Sequence, residues 1–199
     1  MMQVVLVDAG GANLGSLRQA LLRLGVEPVL SGDAAVIRAA DRVILPGVST
    51  AANVMRRLRE LELVEVLRSL KAPLLGVCVG MQVLFEHSEE GDVPCLGLLP
   101  GRVAPLEAGP GVRVPHMGWN RLQPVRRSPL TRGIDDGAWA YFVHGYATPV
   151  TGDCELACTH GGRFAAVVRR GRVAGAQFHP ERSAAAGARL LRNFIEEGA

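Results

Sequence analysis

Leu74-Leu75-Gly76-Val77-Cys78-Val79-Gly80-Met81-Gln82 is the stretch whose reading organises the rest of the chain. An apolar run of strand character leads into G-x-C-x-G, and Val83, Leu84 and Phe85 continue in a helical pattern. A strand, a tight turn and a helix with a cysteine at the apex make the thiol version of the nucleophile elbow. The glycines leave room for the turn, and the helix N-terminus that follows favours thiolate over thiol. Taken alone, the same segment also reads as a buried structural cysteine between two packing glycines.

Working outward, the N-terminal half alternates strand and helix signals. Residues 3–7 are an apolar, β-branched run ending at Asp8-Ala9-Gly10. Leu14, Leu17, Leu21, Leu22 and Leu24 then recur at helical spacing until Gly25. Short strands are expected at 27–30 and 42–45, the second ending at Pro46-Gly47. Residues 54–70 carry Met55, Leu58, Leu61 and Leu67 on one stripe and read as a single amphipathic helix. Short apolar strands separated by helices imply a parallel sheet covered on both faces. After about residue 95 the texture changes to short strands with Gly and Pro turns, expected at 101–106, 112–114, 138–143, 155–159, 164–169 and 173–178. A closing helix over 184–197 has Ser183 as its cap. The fold class is α/β, a mostly parallel central sheet flanked by helices with an antiparallel extension, in a single domain over 1–199.

Composition narrows the chemistry. The 199 residues are 48% hydrophobic and 21% charged, which excludes disorder, and 24 glycines with 12 prolines fit many tight turns. Lys71 is the only lysine. It follows no Gly-rich loop, which argues against P-loop, kinase and Schiff-base enzymes. A net charge of +3, scattered arginines and 5% aromatics argue against nucleic-acid binding. Cys78, Cys95, Cys154 and Cys158 form no C-x-x-C pair, so no metal is expected. The start of the chain lacks a leader pattern, and residues 72–79, among the longest apolar runs, fall far short of the ~20 residues of a membrane helix. A cytoplasmic protein with reduced thiols, no membrane contact and no cofactor is expected.

A second segment, Ala176-Gln177-Phe178-His179-Pro180-Glu181, closes the last apolar strand. In extended chain His179 and Glu181 leave on the same side, so the carboxylate can orient the ring while its other nitrogen faces a thiol. An isolated H-x-E is as often a surface pair. G-x-C-x-G at one strand end and H-P-E at another together favour the order Cys78, His179, Glu181 as nucleophile, acid/base and orienter.

These two motifs resemble those of the class I (triad) glutamine amidotransferases. Pro115-His116-Met117-Gly118-Trp119-Asn120 and Tyr141-Phe142-Val143-His144-Gly145-Tyr146 look like hallmarks of the glutaminase subunits that serve histidine biosynthesis, and the resemblance covers essentially the whole chain. It implies hydrolysis of glutamine without any cofactor. The ammonia would pass to a (β/α)8-barrel synthase subunit, bound as a 1:1 heterodimer, which makes imidazole glycerol phosphate and an aminoimidazole carboxamide ribonucleotide. It also implies that Gly47, Val48 and the amide of Val79 face the oxyanion, and that Gln82, Glu90, His144 and Tyr146 line the glutamine pocket. Asn13, Trp119 and Arg182 would meet the partner. Ser49, Ala12 and Arg182 depart from the residues usual in the family, a glycine, a glycine and a lysine.

Two other readings stay open at this level: a glutaminase subunit of a different synthase, and a non-catalytic binding subunit of the same fold. Among the remaining residues, His87 and His160 read as solvated, and Cys95, Cys154 and Cys158 as packing or surface thiols. The P-H-M-G-W-N segment reads as a turn whose Trp119 belongs to the core or to an interface. Trp139, Tyr141, Phe142 and Tyr146 read mainly as strand-spaced core.

Overall fold

The computed structural model describes residues 2–10 and 14–198 of the chain. Strands β1 (Val4–Val7), β2 (Val29–Ser31), β3 (Arg42–Gly47), β4 (Leu74–Cys78) and β14 (Val173–Ala176) pair in parallel. Beyond β14 the pairing turns antiparallel through β13 (Gly162–Arg170), β12 (Cys154–His160) and β9 (Gln123–Pro124). The resulting order is β2-β1-β3-β4-β14-β13-β12-β9. Helices α1 (Leu14–Arg23), α2 (Ala34–Ala39), α3 (Ala51–Glu60) and α4 (Val64–Arg68) connect the parallel strands. The short α5 (Val79–Gln82) leaves β4, and α6 (Ala184–Glu197) ends the chain. Every residue of β1, β4 and β14 is buried, which is why these strands read as unbroken apolar runs.

Two smaller sheets stand beside this frame. β8 (His116–Arg121) pairs antiparallel with β10 (Trp139–His144), and β5 (His87–Ser88), β6 (Val93–Pro94), β7 (Arg102–Pro105) and β11 (Tyr146–Ala147) form the order β11-β7-β5-β6. Among the described residues no helix is long and apolar enough to cross a membrane.

Several local expectations are corrected. The helix expected over 54–70 is two helices: Glu62 enters the left-handed region (φ 56°), and the amides of Glu62 and Leu63 close on the carbonyls of Arg59 and Leu58 at 3.0 and 2.8 Å. This is a Schellman stop with glutamate in the position where glycine normally marks it. All of the P-H-M-G-W-N segment after Pro115 lies in strand β8, not in a turn. Its turn-forming residues mask a period-two pattern in which His116 is buried while Met117 and Trp119 are 65% and 51% exposed. The same alternation on β10 buries Ala140, Phe142 and His144 and leaves Trp139 half exposed, with Arg121 over its ring at 5.0 Å, so Trp139 is not core. Residues 112–114 form no strand; around Gly111 (φ 76°) only an isolated bridge joins Gly109 and Val112. The Ser183 side chain does not cap α6.

Candidate active site

Three adjacent parallel strands deliver the site at their carboxyl ends, the edge of an open α/β sheet where ligands bind. β3 lies beside β4 with Gly47 opposite Cys78, and β14 lies on the other side with Ala176 opposite Val77. The segments leaving β3, β4 and β14 are Val48-Ser49, Cys78-Val79 and Gln177-Phe178-His179. The sheet register therefore gathers residues far apart in the chain at one edge.

Cys78 has φ 56° and ψ −116°, a conformation that costs a non-glycine residue on the order of 1–3 kcal/mol. The glycines around it are required by contact, not by positive φ. A Cβ on Gly80 would collide with the Leu45 carbonyl, one on Gly76 with the Gly80 backbone, and one on Gly47 would lie 2.9 Å from the carbonyl carbon of Val79. The sharp turn holds only while β3, β4 and α5 press backbone on backbone.

The Cys78 side chain lies close enough to the His179 ring for the two to interact electrostatically. Its sulfur also lies 3.7 Å from the Val143 carbonyl and 3.9 Å from the Gln177 amide nitrogen. On the other side of the ring, His179 Nδ1 lies 3.0 Å from Glu181 Oε1, and the Glu181 side chain is 1% exposed. Burial opposes charging this imidazole, but its interactions with Cys78 and Glu181 outweigh it, and His179 is pushed up to about 10. The pair meets differently from the expectation: Pro180, Glu181 and Arg182 form a 3-10 turn, which folds the carboxylate back under the ring. Burial pushes the other thiols the opposite way from reactivity, Cys95 and Cys154 to about 11 and Cys158 to about 12.

Around this centre, Gln82 is buried and donates from Nε2 to the Tyr146 carbonyl at 2.9 Å and to Gln177 Oε1 at 3.1 Å. His144 Nδ1 reaches the same Tyr146 carbonyl at 2.8 Å. Gln82, His144 and Tyr146 thus converge. Glu90 is placed differently: its carboxylate accepts from the Ala51 amide at 2.8 Å, at the N-terminus of α3. It thereby anchors the chain just after Val48 and Ser49. Val48 is 37% exposed. Trp119 and Arg182 both touch the Tyr141 ring, Trp119 edge-on at 5.8 Å and Arg182 at 4.6 Å from its centroid, so they share one surface. Asn13 and Ala12 lie outside the described residues.

Sequence reasoning overlooked Gln177, Val143 and Ser183. Gln177 had a legible signal, a polar residue inside an otherwise apolar run, and its side chain is fully buried. The carbonyl of Val143 and the bond from Ser183 to His179 had none, because they depend on β10 meeting the turn after β14. His160 is not solvated: its ring stacks on His116 at 4.0 Å and its Nε2 bonds the Arg113 carbonyl at 2.7 Å. His87 is half-buried against Asp92, with 3.0 Å between them.

Known proteins match this chain over nearly all its length. The profile described as glutamine amidotransferase class-I covers residues 5–197. Proteins named "Imidazole glycerol phosphate synthase subunit HisH" from Xylella fastidiosa (strain Temecula1) and Xanthomonas axonopodis pv. citri are each 62% identical over 196 residues, 98% of both chains. A crystal structure described as a glutamine amidotransferase superposes with TM-score 0.76 at 22% identity, covering 97% of each chain. A glutamine amidotransferase from Thermotoga maritima gives 0.64 at 17% identity over 98% of this chain and 83% of that one. At these identities the two structures speak for the fold alone. Profile and relatives together go further: the chain belongs to the class-I glutamine amidotransferase family.

Proposed function

We propose that this protein is the glutaminase subunit of an imidazole glycerol phosphate synthase, hydrolysing glutamine to glutamate and ammonia at Cys78 within one amidotransferase domain spanning the chain. The observation that carries the reading is the strained turn that sets Cys78 beside His179, whose Nδ1 rests on the buried Glu181 side chain. The likeness to the HisH subunits supplies the synthase.

In this reading the Cys78 thiolate attacks the side-chain carbonyl carbon of glutamine. The oxyanion is met by the amide of Val79 and by the Gly47–Val48 backbone, at about 3–4 kcal/mol per well-placed donor. His179, held protonated by its two partners, gives its proton to the leaving nitrogen, and ammonia departs from a γ-glutamyl thioester. His179 then takes a proton from water, hydroxide displaces the sulfur, and glutamate leaves with the thiolate restored. Gln82, His144 and Tyr146 hold the amino-acid end of the substrate, Glu90 fixes the start of α3 just after Val48 and Ser49, and no step calls for a cofactor.

The ammonia passes to a (β/α)8-barrel synthase subunit docked 1:1 in the cytoplasm. Trp119 and Arg182, both against the Tyr141 ring, are the surface for that partner, with Asn13 completing it. Glutamate release should be measured for the chain alone, with the barrel subunit, and with barrel and ribonucleotide substrate. Release that depends on the partner supports the proposal; a chain that forms no complex with the barrel, or a complex that releases no glutamate, overturns it.

A further inference from the structure

Strand β8 reaches the site from the outside through one chain of hydrogen bonds. Asn120 Nδ2 lies 3.2 Å from His116 Nε2, His116 Nδ1 lies 3.0 Å from His144 Nε2, and His144 Nδ1 lies 2.8 Å from the Tyr146 carbonyl oxygen. Backbone groups at the two ends set its direction. The Tyr146 carbonyl only accepts, so His144 carries its proton on Nδ1 and offers a lone pair at Nε2. His116 must then donate from Nδ1 and accept at Nε2. At the outer end, Asn120 Nδ2 also donates to the Thr159 carbonyl at 3.0 Å while Oδ1 accepts from the Arg121 amide at 2.8 Å, which orients the amide to donate toward His116. Both rings are neutral and both hold the Nδ1–H form. Burial, and then the neighbouring histidines, push His116 down to about 3. Burial likewise pushes His144 down to about 4.

The inner end of the chain bears on the substrate side. The Tyr146 carbonyl takes Gln82 Nε2 as its second donor, and the other Nε2 hydrogen of Gln82 goes to Gln177. With both amide hydrogens engaged, Gln82 Oε1 is buried without a hydrogen-bond partner among the described residues. It is an acceptor that the protein leaves unsatisfied, on a side chain proposed above to hold the substrate. Packing alone does not require this polarity. His116 is stacked between Phe142 at 4.9 Å and His160 at 4.0 Å, contacts that a phenyl ring would also make. The hydrogen bonds impose a direction that stacking does not.

We infer that His116 and Asn120 are positioning residues for glutamine binding: by satisfying His144 Nε2 they hold its ring with Nδ1–H on the Tyr146 carbonyl, and so keep that carbonyl and the Gln82 amide in their places at the substrate side. The inference rests on the glutaminase reading above. The test is glutamate release against glutamine concentration by the complex with the barrel subunit, at pH 8.5 and 6.5, for wild type, Asn120→Asp and His116→Phe. The carboxylate introduced by Asn120→Asp accepts from His116 Nε2 and reverses the chain, setting two lone pairs against each other at His144. KM for glutamine should rise about tenfold at pH 8.5 with kcat within about twofold of wild type. At pH 6.5, where the new carboxylate lets His116 hold a second proton, most of the loss should be recovered. The groups facing that proton are the new carboxylate on β8, His144 on β10 and His160 on β12, with His179 beyond His144. His116→Phe keeps the stack and should show the same KM rise with no recovery. KM values within about twofold of wild type in both variants would overturn the inference while leaving the glutaminase reading intact; a wild-type complex that releases no glutamate would overturn both. Nitrogen-15 NMR of the wild-type side chains is a check that needs no variant to fold: Nδ1–H signatures for His116 and His144 are expected, and an Nε2–H form of either ring counts against the chain.

Discussion

The Ser183 hydroxyl donates to the His179 carbonyl at 2.7 Å and accepts from the Tyr141 amide at 2.9 Å, tying the turn that carries His179 to strand β10. The His179 amide returns the tie to the Tyr141 carbonyl at 3.0 Å. Ser183 is fully buried, so Ser183→Ala strands the Tyr141 amide without its acceptor. The expected loss is about 1–3 kcal/mol. At roughly 2–4 °C per kcal/mol for a chain of this size, calorimetry should show Tm falling by about 2–12 °C. An unchanged Tm would show that the tie contributes nothing to stability.

Replacing Cys78 by Ala should abolish glutamine-dependent synthesis by the complex and leave ammonia-dependent synthesis intact, since only the first uses the thiolate. Retained use of glutamine would remove Cys78 from the mechanism.

His179→Ala should lower glutaminase kcat/KM by about 10²–10⁴-fold, the usual range for an acid/base group. Glu181→Gln keeps a hydrogen-bonding group beneath Nδ1 and should cost less, because it acts only through the ring. Equal losses in folded variants would mean that the carboxylate acts on the substrate itself.

Stability should peak near neutral pH, and the histidines decide both sides. His116 and His144, near 3 and 4 when folded, bind protons more readily unfolded at about 6.5, so their contribution is complete above pH 6.5 and is lost as pH falls toward 4. His179, pushed up to about 10, works with the opposite sign: its contribution is complete below pH 6.5 and is lost as pH rises through 10. Denaturant midpoints from pH 4 to 10 should trace this dome. His116→Phe should flatten the acid limb and leave the alkaline limb alone; an unaltered acid limb would contradict the assignment.

Arg182→Ala and Trp119→Ala should weaken binding of the barrel subunit without slowing alkylation of Cys78 by iodoacetamide. Tryptophan at the centre of an interface commonly contributes about 2 kcal/mol or more, so Trp119→Ala should raise Kd by at least about 30-fold. Titration calorimetry with an unchanged Kd for both would place the partner elsewhere.

Much of this protein was legible in order along the chain. The apolar runs that became β1, β3, β4 and β14, the elbow at Cys78 and the H-P-E motif are local patterns, though not the 3-10 turn that H-P-E adopts, and a buried parallel strand or a glycine against backbone leaves its mark on adjacent residues. The stop at Glu62 left no such mark, because a glutamate was held left-handed by bonds to Arg59 and Leu58 and not by its own preference. Strand β8 was hidden for a related reason: Gly118 and Asn120 are turn-formers singly, and only pairing with β10 draws them into a strand. The partners of the site were the least readable. Glu90 at the start of α3, Ser183 beneath His179 and the chain from Asn120 to Tyr146 each join residues that the sheet register brings together, and register is decided by the packing of the whole sheet.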